Sequence, residues 1–178
     1  MRFVIDTSVF VNPDVYVQFG KSIDEAIDAF VGLAKESNHE FYMPPSVFKE
    51  LSHFSKKTDD LELVVKKRSP NVYSLYVPAA VLYDIVSEVR KRIDKGLRIA
   101  EKYAVAEGTP EEVRKLRERY REAVRHGIVD STEDLDVVLL AKELDAVIVS
   151  ADEGIINLAN KLSCEWIDAR KFKKMINQ

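Results

Sequence analysis

The sequence predicts an α/β fold: a small parallel sheet with helices on both faces, interrupted by one helical hairpin. Three observations predict it. Short apolar runs alternate with amphipathic stretches of helix length at both ends of the chain. Several of these runs stop at a polar or acidic residue, as buried parallel strands do at their carboxyl ends. Between the two portions lies a long stretch whose apolar residues recur only at helical spacing.

The elements follow in order. Residues 3–6 are short and apolar, then meet the polar pair Thr7-Ser8, and read as a buried strand. Pro13 favours a helix start near Asn12. Residues 22–35 form an amphipathic helix: Ile23, Ala26, Ile27, Phe30, Val31 and Ala34 share a face, and Ser22 with Glu25 makes a capping box. Residues 40–43 are a second strand, stopped by Pro44-Pro45-Ser46, which opens a helix over 47–54. A turn at 56–60 precedes a short helix over 61–67, and residues 72–77 read as an extended segment ended by Pro78.

From Pro78 the character changes. Val81, Leu82, Ile85, Val86, Val89, Ile93, Leu97 and Ala100 make one long helical stripe. Gly108-Thr109-Pro110 is a break with a cap and a first-turn proline. A second helix carries Val113, Leu116, Tyr120 and Val124 on one face. Residues 78–126 therefore read as a helical hairpin inserted into an α/β domain made of 1–77 and 127–178. The apolar faces of its two helices are directed at each other or at a partner chain. The α/β pattern then resumes: Asp130-Ser131-Thr132 caps a helix through Leu144, followed by a strand over 146–150, a helix over 153–162, a last strand over 165–167 and a basic helix over 171–176.

Composition bounds the function. A chain of 178 residues that is 46% hydrophobic can bury one ordinary core, which argues against disorder. A net charge of -3 excludes a uniformly basic nucleic-acid coat but allows a local basic patch. The single cysteine, Cys164, forms no internal disulfide, which fits a reducing compartment and a cytoplasmic location. No apolar run approaches the roughly 18 residues of a membrane span.

The acids carry the chemistry. Asp6 and Asp152 each follow the end of an expected strand, where open parallel sheets place their functional crevice. Asp130 and Asp134 open the helix before Leu135 and share one face. Each also has a local reading, as a cap, a first-turn residue or a turn residue. Their conjunction favours a shared purpose. Bare carboxylates held together repel, and a hard divalent cation such as Mg2+ or Mn2+ removes the conflict. Glu50, which opposes its helix dipole, is a candidate at the edge of this site, and Asp136 a candidate supporting residue or a solvent-facing one. The pattern points to metal-assisted phosphodiester chemistry.

The run Val4-Ile5-Asp6-Thr7-Ser8 resembles the opening of PIN-domain nucleases, as does Asp134 with an apolar helix followed by Val147-Ile148-Val149-Ser150-Ala151-Asp152. The order Asp6, Glu50, Asp134, Asp152 is also similar. A closer resemblance is to the HARP family, the RNA-free ribonuclease P proteins formerly called RNA ligase partners. It rests on residues 3–13, on Phe19-Gly20, on residues 44–51, on residues 130–136 and on the hairpin between the second and third acids. The resemblance implies an endonuclease that removes the 5′ leader of precursor tRNA with magnesium or manganese. It also implies a homo-oligomer assembled through the inserted helices.

The hairpin holds 12 Lys/Arg against 8 Asp/Glu between residues 85 and 126. Arg114, Arg117, Arg121 and Arg125 fall in one stripe, whose forked guanidinium groups suit phosphate oxygens. Lys91, Lys95, Arg98 and Lys102 form a second stripe. The plain alternative is a solvated face balanced by Glu111, Glu118 and Glu122. Two rival functions stand beside the tRNA-processing one: a toxin-like PIN ribonuclease cutting tRNA or mRNA, and a non-catalytic RNA-binding or ligase-associated scaffold. The long hairpin speaks against the first and the full acid set against the second.

Overall fold

A computed structural model describes residues 1–104, 109–124 and 131–176. Five strands, β1 (Arg2–Ile5), β2 (Glu40–Met43), β3 (Val65–Lys67), β4 (Val147–Ser150) and β5 (Trp166–Asp168), form one sheet. Its order is β3-β2-β1-β4-β5, and every pairing is parallel. From β1 the chain builds outward to β3 on one side and later to β5 on the other. Right-handed crossovers therefore put the connecting helices on opposite faces.

The helices are α1 (Ser8–Val11), α2 (Pro13–Tyr16), α3 (Ile23–Glu36), α4 (Pro45–Leu51), α5 (Thr58–Leu61), α6 (Ala79–Ala104), α7 (Pro110–Val124), α8 (Thr132–Leu144), α9 (Glu153–Lys161) and α10 (Phe172–Ile176). Their starts follow the expected chemistry. The Ser22 hydroxyl accepts from Glu25 N at 3.3 Å, and Asn12 Oδ1 accepts from Asp14 N at 3.0 Å. Asp145 adopts the left-handed conformation that ends α8 and turns the chain into β4.

The core is two-sided. Phe3, Phe10, Phe30, Phe41 and Phe172 are wholly or almost wholly buried and meet edge-to-face or stacked, with centroids 5.2–6.2 Å apart. α8 buries Val137, Val138, Leu139, Leu140, Ala141 and Leu144 and packs on β1, β4 and α9.

The chain divides into two compact units. One comprises Met1–Tyr76 with Ser131–Gln178, and the other Val77–Asp130. In the second unit α6 and α7 pack on each other. Gly96 allows this: a Cβ there would lie 2.5 Å from Tyr120 Cε2. Thr109 and Glu112 cap α7 reciprocally, Thr109 N donating to Glu112 Oε2 at 3.0 Å and Glu112 N to Thr109 Oγ1 at 3.3 Å.

Two expectations change. The helix expected over 61–67 is a single turn, α5, that ends at Leu61, followed by strand β3. Leu61, Val64 and Val65 mimic helical spacing, but pairing of Val65 with Phe41 decides the outcome. The segment 72–77 joins no strand, and Tyr73 is 99% exposed. On α6 the apolar stripe is only partly used: Val81 is buried, whereas Leu82, Val86, Val89, Ile93 and Leu97 remain exposed, Ile93 at 60%. No helix among the described residues is long and apolar enough to cross a membrane.

Candidate active site

The sheet order reverses between β1 and β4, and ligands of open parallel sheets bind outside the carboxyl ends at such a point. A cavity of about 350 Å³ lies there, lined by Asp6, Thr7, Ser8, Val11, Glu50, Ser131, Glu133, Asp134 and Asp152. All of these belong to the first unit.

Asp6 is the most constrained. Its backbone N donates to Val149 O at 3.1 Å, so the ladder with β4 runs one residue beyond β1. Its side chain is 5% exposed. Oδ2 accepts from Ser150 Oγ at 2.8 Å and from Ser8 N at 3.3 Å, and Oδ1 accepts from Thr7 Oγ1 at 3.4 Å. Burial pushes the carboxyl above its ordinary range, hydrogen bonds from Ser8 and Ser150 oppose that, and the charge of Asp152 adds to it.

Hydroxyls hold the loop after β4. Ser150 Oγ accepts from Asp152 N at 3.0 Å, and Ser8 Oγ accepts from Ala151 N at 3.0 Å. Asp152 is the N-cap of α9: its Oδ1 accepts from Gly154 N at 2.7 Å and from Ile155 N at 3.0 Å. That fixes the carboxylate while its second oxygen lies off the cap. Asp134 stands in the first turn of α8, its N donating to Ser131 Oγ at 3.1 Å.

Glu50 joins them from α4. Thr7 Oγ1 lies 3.4 Å from Glu50 Oε2 and 3.4 Å from Asp6 Oδ1, so one hydroxyl serves two carboxylates. Desolvation of its carboxyl, then the charge of Asp6, raise the Glu50 pKa. Asp136 is not among the lining residues; its Oδ2 accepts from Ser46 Oγ at 2.7 Å, tying α8 to the first turn of α4. Asp130 and Arg125 lie outside the described residues. Arg114, Arg117 and Arg121 stand exposed on α7. Arg114 pairs with Glu118 at 3.9 Å, whereas among the described residues Arg117 and Arg121 pair with no acid.

Asp6, Glu50, Asp134 and Asp152 thus share one cavity with Glu133. Among the described residues no three histidine, cysteine or acidic side chains form a closed ligand set. The donor chemistry fits a hard divalent cation all the same. The donors are carboxylates and hydroxyls, and magnesium is held by one or two carboxylates while keeping several waters. Two raised carboxyls describe charge that a cation would relieve. Sequence reasoning missed Thr7, Ser8, Ser131, Glu133 and Ser150. Ser150 left a signal, since a hydroxyl ending a wholly buried strand needs a partner.

The family model for the PINc domain ribonuclease matches residues 2–178. The chain is similar to proteins named RNA-free ribonuclease P. One from Pyrococcus horikoshii is 45% identical, with 100% of this chain and 92% of that protein covered. One from Pyrococcus furiosus is 46% identical, covering 100% and 94%. One from Halorhodospira halophila is 49% identical, covering 95% and 86%.

The raised Asp6 carboxyl has a consequence for stability. A folded pKa above the unfolded one favours the protonated fold, so this contribution is present at low pH and is lost as pH rises through the folded pKa. Asp6→Asn is neutral at every pH. In EDTA it is expected to melt about 2–4 °C higher than the wild type at pH 7.5, the effect of roughly 1 kcal/mol in a chain of this size, with the gain shrinking towards pH 4. Melting curves at the two pH values check this. A variant less stable than wild type at pH 7.5 sinks the account.

Proposed function

This chain belongs to the PINc domain ribonucleases, among the RNA-free ribonuclease P proteins, and we propose that it cuts precursor tRNA at the 5′ leader junction with a divalent metal ion. The observation that carries the reading is the single cavity shared by Asp6, Glu50, Asp134 and Asp152 at the sheet's switch point. It is an endoribonuclease that uses no nucleophile of its own. Asp6, Asp134 and Asp152 would hold magnesium or manganese directly or through water, with Asp130 completing the set and Glu50 at its margin. A cation held there would supply Lewis acidity to a water and to the scissile phosphodiester.

The chain's own residues keep that set in order. Ser8 and Ser150 aim the Asp6 carboxylate and tie down the loop carrying Asp152. The α9 N-terminus pins one oxygen of Asp152 and leaves the other for the ion. Asp136 steadies α4, and with it Glu50. The exposed Arg114, Arg117 and Arg121, with Arg125, grip phosphates of the tRNA body. Exposed Leu82, Val86, Val89, Ile93 and Leu97 make a patch that a second copy covers in a homo-oligomer. A tRNA-processing role places the protein in the cytoplasm.

Labelled precursor tRNA incubated with the protein and Mg2+ is expected to yield one cut, at the mature 5′ end, and none in EDTA. Asp134→Asn and Asp152→Asn are each expected to slow the cut by at least roughly a hundredfold, equivalent to losing about 3 kcal/mol of transition-state stabilisation. Mn2+ is expected to raise the melting temperature of the wild type and not of these variants. Cleavage undiminished in EDTA, or cuts scattered elsewhere, contradicts the reading.

Arg117→Ala with Arg121→Ala is expected to weaken precursor-tRNA binding and to flatten its salt dependence by about 0.7–0.9 per lost phosphate contact. Unchanged affinity and slope mean that these arginines are only a solvated face. Sedimentation at micromolar concentration is expected to find an oligomer that Ile93→Glu dissociates. A wild-type monomer contradicts the assignment of the α6 patch.

A further inference from the structure

We infer that the basic segment 170–174, which leaves the carboxyl edge of β5, is a second contact surface for RNA phosphates, built into the nuclease unit itself. The inference rests on the ribonuclease reading above and names where its substrate's backbone lies.

Between Ala169 and Ile176 stand Arg170, Lys171, Lys173 and Lys174, with no acid among them. The segment is fixed to the core. Phe172 is wholly buried against Phe3, Phe30 and Phe41, and Ala169 and Ile176 are buried beside it. Gln18 clamps both of its turns: Nε2 donates to Ala169 O at 2.7 Å, and Oε1 accepts from Lys173 N at 3.0 Å. The backbone under these cations is therefore already ordered, which lowers the entropy cost of binding a ligand.

Its position follows from register. Ser150 and Asp168 are partners across β4 and β5. The segment thus leaves the sheet at the carboxyl edge, one strand from the loop that carries Asp152, and adjacent strands lie only about 4.8 Å apart. The 3-10 turn Ala169–Lys171 packs on α1 and α2, and α1 contributes Ser8 and Val11 to the cavity.

Charge distinguishes this flank from the other side of the sheet. There Lys66 pairs with Glu40, Lys67 with Glu62 and Arg68 with Glu143. Here Arg170 is folded on Asp168 and Lys173 Nζ donates to Gln18 O at 2.8 Å. Lys171 and Lys174 are exposed; Lys171 shares the field of Asp168 with Arg170, and Lys174 stands one turn further on. A polyanion approaching four or more carboxylates is repelled unless cations beside them hold it. Two exposed lysines on a rigid scaffold supply that hold, and the ligand is the RNA backbone next to the scissile bond.

The test compares wild type with Lys171→Ala/Lys174→Ala. With precursor tRNA and Mg2+, KM is expected to rise about 5–10-fold, kcat to stay within about twofold, and the salt slope of binding to flatten by about 1.4–1.8. Lys171→Arg/Lys174→Arg is expected to behave as wild type. Lys35→Ala/Lys56→Ala, with the same loss of charge elsewhere on this unit, is expected to leave KM unchanged. Gel-shift binding of the same RNA in EDTA reads the surface without cleavage. Unchanged KM and slope, or an equal effect from the Lys35/Lys56 pair, overturns the inference. If the wild type cuts no precursor tRNA in any divalent metal, the proposed function fails instead, and the EDTA comparison still decides this surface.

Discussion

A carboxylate buried at the end of the central strand is the constraint on which the rest of the structure depends. Asp6 sits where β1 leaves the sheet, shielded from water and within reach of other acids. An ionised carboxyl there is tolerable only with donors around it. Ser8 N, Ser150 Oγ and Thr7 Oγ1 supply them. Those same groups order the neighbourhood. Ser150 Oγ receives Asp152 N, Ser8 Oγ receives Ala151 N, and Thr7 Oγ1 also reaches Glu50. Holding one charge thereby positions both the loop after β4 and the end of α4 that carries Glu50.

Topology makes this possible. With β1 in the middle, β2 on one side and β4 on the other, acids arrive at one edge from segments far apart in the chain. α4 brings Glu50, α8 brings Asp134 and the loop after β4 brings Asp152. The helical unit enters the chain between β3 and α8, at a surface connection where long insertions cost little. The ladder that aligns Asp6 with Val149 lies wholly within the first unit.

How far the sequence was legible depended on the strength of each local signal. Ser22 with Glu25, the α3 apolar face and the proline pair before α4 all acted as their chemistry dictates. β3 did not, because three residues with one buried side chain carry almost no pattern of their own. The α6 stripe was visible as apolar, but periodicity cannot say whether a face meets α7 or solvent. Gly96 against Tyr120 settles the contact that α7 makes. The hydroxyls were the largest omission. Thr7, Ser8 and Ser150 resemble ordinary turn and strand-end residues until Asp6 is placed among them.

The sequence alone determined the alternation of strands and helices outside β3, the hairpin's position in the chain, and which acids stand at strand ends. These are local properties, written in periodicity, caps and proline or glycine breaks. Tertiary structure decided which strands are neighbours, that Glu50 shares a hydroxyl with Asp6, and that Ser150 rather than a charged group partners it. It also decided that Lys66 is drawn into an ion pair with Glu40. Each of these depends on distances between segments tens of residues apart. Only the packing of the sheet fixes those distances, since local propensity acts over a few residues and burial acts over the whole core.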